Sequence, residues 1–245
     1  MAYGSRGSIG HVCPSIPLDM ILNECERMVP EDIMMVYSSL HVQQLRQEDF
    51  DRAISMLDEA VGFMVDGAVD CIIVGGGPVV AAIGSDQGVV DRTLELSGKP
   101  SISTTGAMIT ALDSFKAKKI VVATPYTDER NALLQTYLER QGFEVVGMGG
   151  LGIQRAAQIA RLPFDVPYEH AVAVAKSAPD ADAMYIPCAR FPVVSSIDRI
   201  EVDAGLPVVT STQAMIWWGM RTIGVTDDVP GFGSLYGVDP AESRN

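Results

Sequence analysis

The stretch GKPSISTTGAMI (Gly98–Ile109) returns as GLPVVTSTQAMI (Gly205–Ile216), at an offset of 207 − 100 = 107 residues. Identities fall at Gly98/Gly205, Pro100/Pro207, Thr105/Thr212, Ala107/Ala214, Met108/Met215 and Ile109/Ile216. Each copy reads as a short strand that passes through hydroxyl residues into a helix. Serine and threonine suit that junction because their oxygens accept the first free N–H groups of a helix. Two more pairs extend the match. Pro14 after Val12–Cys13 parallels Pro125 after Ala123–Thr124 at an offset of 111, and Gly75–Gly77 parallels Cys188 at about the same spacing.

Outward from these repeats, β-branched runs alternate with helical patterns. Strands are expected at Ile9–Cys13, Ile33–Ser38, Cys71–Val74, Pro100–Ser103, Lys119–Ala123, Phe143–Met148, Met184–Ile186 and Pro207–Val209. Helices are expected at Leu18–Met28, Gln47–Asp66, Gln87–Leu96, Ala107–Lys116, Asp128–Gln141, Ile153–Ala160, Tyr168–Ser177 and Ala214–Met220, with an irregular tail after Thr226. Such alternation implies βαβ units with parallel sheets, an α/β fold. The chain reads as two similar halves, 1–115 and 116–245, related by a pseudo-twofold across a cleft, with the C-terminal segment free to pack back on the first half.

Composition narrows the function. The 245 residues carry 18 Lys+Arg against 31 Asp+Glu, a net charge of −13, with 47% hydrophobic and 20% charged residues. An acidic chain is a poor match for nucleic acid, which needs a basic surface. No apolar run approaches the ~20 residues of a membrane span, and Met1–Gly10 has no signal-peptide core. Cys13, Cys25, Cys71 and Cys188 show no CxxC, and His11, His41 and His170 show no HxxxH or HExxH. No metal site, no disulfide framework and a reducing, cytoplasmic setting are expected. Monomer and homo-oligomer both fit.

In open parallel sheets, ligands bind beyond the carboxyl ends of the strands. Those ends are Cys13–Ser15, Gly75–Pro78, Ser103–Gly106, Thr124–Tyr126, Pro187–Arg190 and Thr210–Gln213. With helix N-termini following several of them, the pocket suits a small carboxylic acid. Cys188 is the reactive candidate, at a strand end before an expected helical turn whose N–H groups favour a thiolate. Cys71 in a strand, Cys25 in a helix and Cys13 at a strand end read as structural.

The strings Gly75–Gly77, AKKIVVATPYTDE (Ala117–Glu129), GGLGIQ (Gly149–Gln154), IPC (Ile186–Cys188), GLPVVTST (Gly205–Thr212) and PGFGSLY (Pro230–Tyr236) resemble the aspartate/glutamate racemase superfamily. Within it, the chain is most similar to the arylmalonate decarboxylase and maleate isomerase branch, the decarboxylases above all. The resemblance covers nearly the whole chain. It implies two Rossmann-like subdomains, an active site between them, and no cofactor or metal. Racemases and maleate isomerases use one cysteine from each half. Here the first-half position falls on Gly76 or a neighbour and the second is Cys188, the asymmetry of the decarboxylases.

That asymmetry has a chemical meaning. Two-base racemisation needs an acid or base opposite Cys188, and glycine supplies none. A carbanion formed by loss of CO₂ needs no base, only donors for the enediolate and one acid, such as a thiol with a pKa near neutrality. The resemblance supplies candidates for the substrate site: Gly76, Gly77, the Tyr126 hydroxyl and the Cys188 and Ala189 N–H groups, with Pro14, Thr124 and Arg190 around them. Gly77–Pro78 departs from the family, whose decarboxylases carry hydroxyl residues there, and proline donates no N–H. Decarboxylation of a substituted malonate, with Cys188 as stereospecific proton donor, is the expected reaction. The alternatives are a maleate-type isomerase or racemase using Cys188 as nucleophile or base, and a non-catalytic small-acid binding protein.

Overall fold

Among the described residues, eight strands form two sheets with one topology. In the computed structural model, which describes residues 2–15, 19–42, 47–75 and 86–241, the first sheet has the order β2-β1-β3-β4 and the second β6-β5-β7-β8. The strands are β1 (Gly7–Ser15), β2 (Ile33–Val42), β3 (Cys71–Val74), β4 (Ser101–Ser103), β5 (Lys119–Thr124), β6 (Glu144–Gly150), β7 (Ala183–Ile186) and β8 (Val208–Thr210). Every pairing is parallel. The fold is therefore α/β.

The helices are α1 (Met20–Arg27), α2 (Gln47–Asp66), α3 (Asp86–Ser97), α4 (Thr104–Ser114), α5 (Asp128–Arg140), α6 (Ala156–Ile159), α7 (Asp165–Lys176), α8 (Ile197–Ala204) and α9 (Ser211–Thr222). Central strands β3 and β7 are buried along their whole length, as parallel strands covered on both faces must be. In the first unit, Leu57, Ala60, Val61 and Met64 of α2 pack on Val12, Ile72 and Val74. Complete burial of each such side chain contributes about 1.5–3 kcal/mol.

Register sharpens the repeat. Val74 pairs with Ser103, and Ile186 pairs with Thr210. Val74 and Ile186 are thus equivalent, and two residues further on the counterpart of Cys188 is, by count, Gly76. The caps repeat too. Ser103 Oγ accepts the Gly106 N–H at 2.9 Å, and Thr210 Oγ1 accepts the Gln213 N–H at 3.1 Å.

The chain divides into two compact units, Met1–Ala107 with Met215–Thr226, and Met108–Ala214 with Asp227–Asn245. In place of one boundary after residue 115 there are hand-overs at Ala107/Met108 and Ala214/Met215, again 215 − 108 = 107 residues apart. Other departures are local. The helix expected over Ile153–Ala160 contracts to α6, because Leu151–Ile153 instead hydrogen-bond to residues 124–126. Helix α8 was not expected, and the tail contains a 3₁₀ turn at Ser234–Gly237. Among the described residues no helix is long and apolar enough to cross a membrane.

Candidate active site

Cys188 lies two residues beyond β7 at φ +82°, a left-handed conformation that a side chain rarely adopts. Such a backbone costs on the order of 1–3 kcal/mol and persists where the surroundings impose it. Among the described residues the other two positive-φ side chains, Ala68 and Lys116, follow helices α2 and α4, where such residues are ordinary. No helix begins directly after Cys188. The chain makes a turn in which the Phe191 N–H donates to the Cys188 carbonyl at 2.8 Å, and the next element is a 3₁₀ turn at Val194–Ser196.

The turn directs the Arg190 and Phe191 N–H groups toward the sulfur, and the Tyr126 hydroxyl donates to it as well. These donors and the Arg190 charge favour a thiolate, but burial outweighs them and moves the thiol above its ordinary value of 9.0. A pKa near neutrality, expected from the sequence, is therefore corrected: the group rests as a thiol. Tyr126 is likewise held well above 10.0, by burial first and then by the neighbouring Cys188 and Tyr185. Because burial disfavours the charged form, uptake of iodoacetamide at Cys188 should reach half its maximal rate only above pH 9.0. A half-maximum near pH 7 would contradict this.

Tyr126 is held by its own turn. Thr124 Oγ1 accepts the Tyr126 N–H at 3.0 Å and donates to Asn131 Oδ1 at 2.7 Å. Thr124 is fully buried, and its hydroxyl fixes the turn. The GGLGIQ segment closes over this turn. Leu151, Gly152 and Ile153 donate their N–H groups to the carbonyls of Thr124, Tyr126 and Pro125 at 3.1, 3.0 and 2.9 Å. A methyl group at Gly150 would collide with Asn131 Nδ2 and the Tyr126 carbonyl oxygen. Gly150→Ala should therefore lower stability by about 1–3 kcal/mol, seen as a reduced urea midpoint at unchanged slope.

In the first unit, the Pro14 ring lies against Gly75 so closely that no side chain fits there. Gly76, Gly77 and Pro78 lie outside the described residues. Ala189 is half-buried, and the N–H groups directed at the sulfur are those of Arg190 and Phe191. Burial pushes Cys25 and Cys71 up to about 12, in keeping with structural roles, and Cys13 is also buried. Among the described residues no group of three or more His, Cys, Asp or Glu could hold a metal ion. Sequence reasoning missed Phe191, Asn131 and Tyr185, whose parts depend on the turn and on sheet register.

These features define a parallel α/β repeat protein with a cysteine–tyrosine pair at the strand ends of its second sheet. The sequence profile described as arylmalonate decarboxylase matches residues 10–236, and the chain belongs to that family. It is 26% identical to the arylmalonate decarboxylase of Bordetella bronchiseptica, over 96% of this chain and 99% of that one. It is 24% identical to a maleate isomerase of Pseudomonas putida, over 93% and 96%. A solved structure of unliganded arylmalonate decarboxylase has the same fold, with a TM-score of 0.81 at 22% identity, covering 94% of this chain and 98% of that one.

Proposed function

We propose that the protein decarboxylates a substituted malonate-type acid, aryl or alkyl, without cofactor or metal, and that Cys188 protonates the resulting carbanion. The observation that carries this is the lone acid: the position equivalent to Cys188 by register count is Gly76, which has none, and burial keeps the Cys188 sulfur a thiol beside donors for its anion. A proton donor needs both features. It must hold its proton at rest, and the thiolate it leaves must be stabilised. A nucleophile must instead shed that proton before it attacks.

In the reaction the bond from the α-carbon to one carboxylate breaks and CO₂ leaves. The electron pair passes through the α-carbon into the remaining carboxylate, forming an enediolate. Tyr126, whose single O–H turns from the sulfur to the enediolate, and the Ala189 N–H are its donors, each contributing about 3–4 kcal/mol, and the resemblance adds the Gly76–Gly77 backbone. Arg190 clamps a carboxylate and Pro14 bounds the substituent. The S–H proton then moves to carbon, and the thiolate regains a proton from water. Gly76, the counterpart of Cys188 by count, carries no acid, which favours delivery from Cys188 alone. Four cysteines present as thiols suit a cytoplasmic setting.

A second reading, maleate isomerisation through a covalent Cys188 adduct, has support from the maleate isomerase relative. The test is a panel of arylmalonates, alkylmalonates, maleate and amino-acid enantiomers followed by NMR and CO₂ evolution. CO₂ from a substituted malonate is expected. Fumarate from maleate with no CO₂ from any malonate would overturn the first reading in favour of the second.

A further inference from the structure

Helix α5 buries Asn131 and Leu138, which lie about two turns apart on one stripe. Leucine is the ordinary occupant of such a position. An asparagine there loses its water and must find partners inside the protein. Asn131, 6% exposed, finds them at the end of β5. Its Oδ1 accepts the Thr124 hydroxyl at 2.7 Å, and the same hydroxyl oxygen accepts the Tyr126 N–H at 3.0 Å. An amide oxygen only accepts, so the single Thr124 hydroxyl proton is committed to Asn131 and a lone pair is left for Tyr126. The Tyr126 carbonyl is taken by the Gly152 N–H at 3.0 Å. Both main-chain polar groups of Tyr126 are thus fixed, and its side-chain hydroxyl donates to the Cys188 sulfur.

The internal repeat shows that this relay is not a general requirement of the fold. Strand β5 pairs with β7 as β1 pairs with β3, Val122 with Tyr185 and His11 with Ile73. Since Val74 is equivalent to Ile186, Ile73 matches Tyr185 and His11 matches Val122, an offset of 122 − 11 = 111. By the same count Cys13, Ser15 and Met20 stand where the second unit has Thr124, Tyr126 and Asn131. Cysteine and methionine supply neither the hydroxyl nor the amide. A central strand of this fold can therefore end without the relay, and the half that has it is the half that carries Cys188. Departures of this kind from the local pattern concentrate at functional sites.

We propose that Asn131 is a positioning residue: through the Thr124 hydroxyl it fixes the main chain of Tyr126 and so aims the phenol at the Cys188 sulfur. The role deepens the proposed reaction and rests on its pairing of Cys188 with Tyr126, but it can be read from the sulfur without any substrate. Alkylation by iodoacetamide across pH, followed by peptide mass spectrometry in the full-length protein, gives a midpoint for Cys188 separately from the other cysteines. That midpoint reports the stability of the thiolate and not access to the sulfur.

Losing the Tyr126 donor destabilises the thiolate, so Tyr126→Phe should raise the midpoint. Asn131→Leu and Thr124→Val, each close to the parent side chain in size, should raise it by about 0.5–1 pH unit, within the range of neighbour couplings. In the Tyr126→Phe background Asn131→Leu should add nothing, whereas a loss of packing alone would not depend on the phenol. Thr124→Ser, which keeps the oxygen, should hold the parent midpoint. With a substituted malonate, kcat of Asn131→Leu should fall about tenfold, as a small misplacement of a reacting group does. Circular dichroism checks the fold, and Thr124→Val tests the same link should Asn131→Leu fail to fold. A parent midpoint in either variant, once folded, overturns the proposal. So does an Asn131→Leu shift that adds in full to that of Tyr126→Phe. Absence of CO₂ release from every malonate would sink the proposed reaction and leave these midpoints standing.

Discussion

Cys188→Ala lowers kcat by about 10²–10⁴-fold, the usual contribution of a positioned acid, while the protein still folds. The two effects separate because Cys188 sits in a turn beyond β7 and is not among the buried core residues. Alanine inherits the φ of +82° and so keeps the backbone strain. Glycine does not. Cys188→Gly should be equally inactive but more stable than Cys188→Ala by about 1 kcal/mol, since glycine adopts that conformation without a steric penalty. Steady-state kinetics and urea denaturation of the two variants check both halves. Substantial turnover by Cys188→Ala would remove the sulfur from the chemistry.

Tyr126→Phe should be the next most damaging change, lowering kcat by about 10²–10³-fold with little change in KM. Removing one donor to a developing oxyanion typically has that effect. The ring remains to fill its buried site, so the fold tolerates the change. The Thr124–Asn131 pair that shapes the turn contacts the Tyr126 backbone, not its hydroxyl, and stays intact. In the same variant the Cys188 thiol loses one of the donors that oppose burial, and its pKa rises further. A fall confined to KM would assign Tyr126 to substrate binding alone.

The fold was legible because its evidence is local and repeated. Gly98–Ile109 and Gly205–Ile216 show a strand, a cap and a helix, and two such halves give the two sheets of identical strand order. The hand-over between units was not legible, although it falls inside those same motifs, because it depends on where each helix packs. Helix α8 has a narrow signal. Ile197 and Ile200 are buried three residues apart, Val202 is exposed, and Gly205 ends the helix at φ +68°. Ser196, Asp198 and Gly205 were its available markers.

At the site, residue identity was more legible than electrostatic state. Cys188 and Tyr126 are singled out by strand ends and resemblance, and their side chains interact. The depth of burial that keeps the thiol protonated leaves no mark on the residues beside it. Tyr185 and Ser211, 26 residues apart, come together only through the β7–β8 register. The assignment of Thr124 followed its position at a strand end. Its hydroxyl turns inward because Asn131, one helical turn into α5, is there to receive it.

The most direct measurement of one-sided protonation by Cys188 is turnover of α-methyl-α-phenylmalonate in D₂O, with product analysed by NMR and chiral chromatography. The expected product is a single enantiomer of 2-phenylpropionate carrying one deuterium at the α-carbon, released with CO₂. A racemic deuterated product would contradict delivery from one sulfur, as would an unchanged enantiomeric outcome and rate in Cys188→Ala.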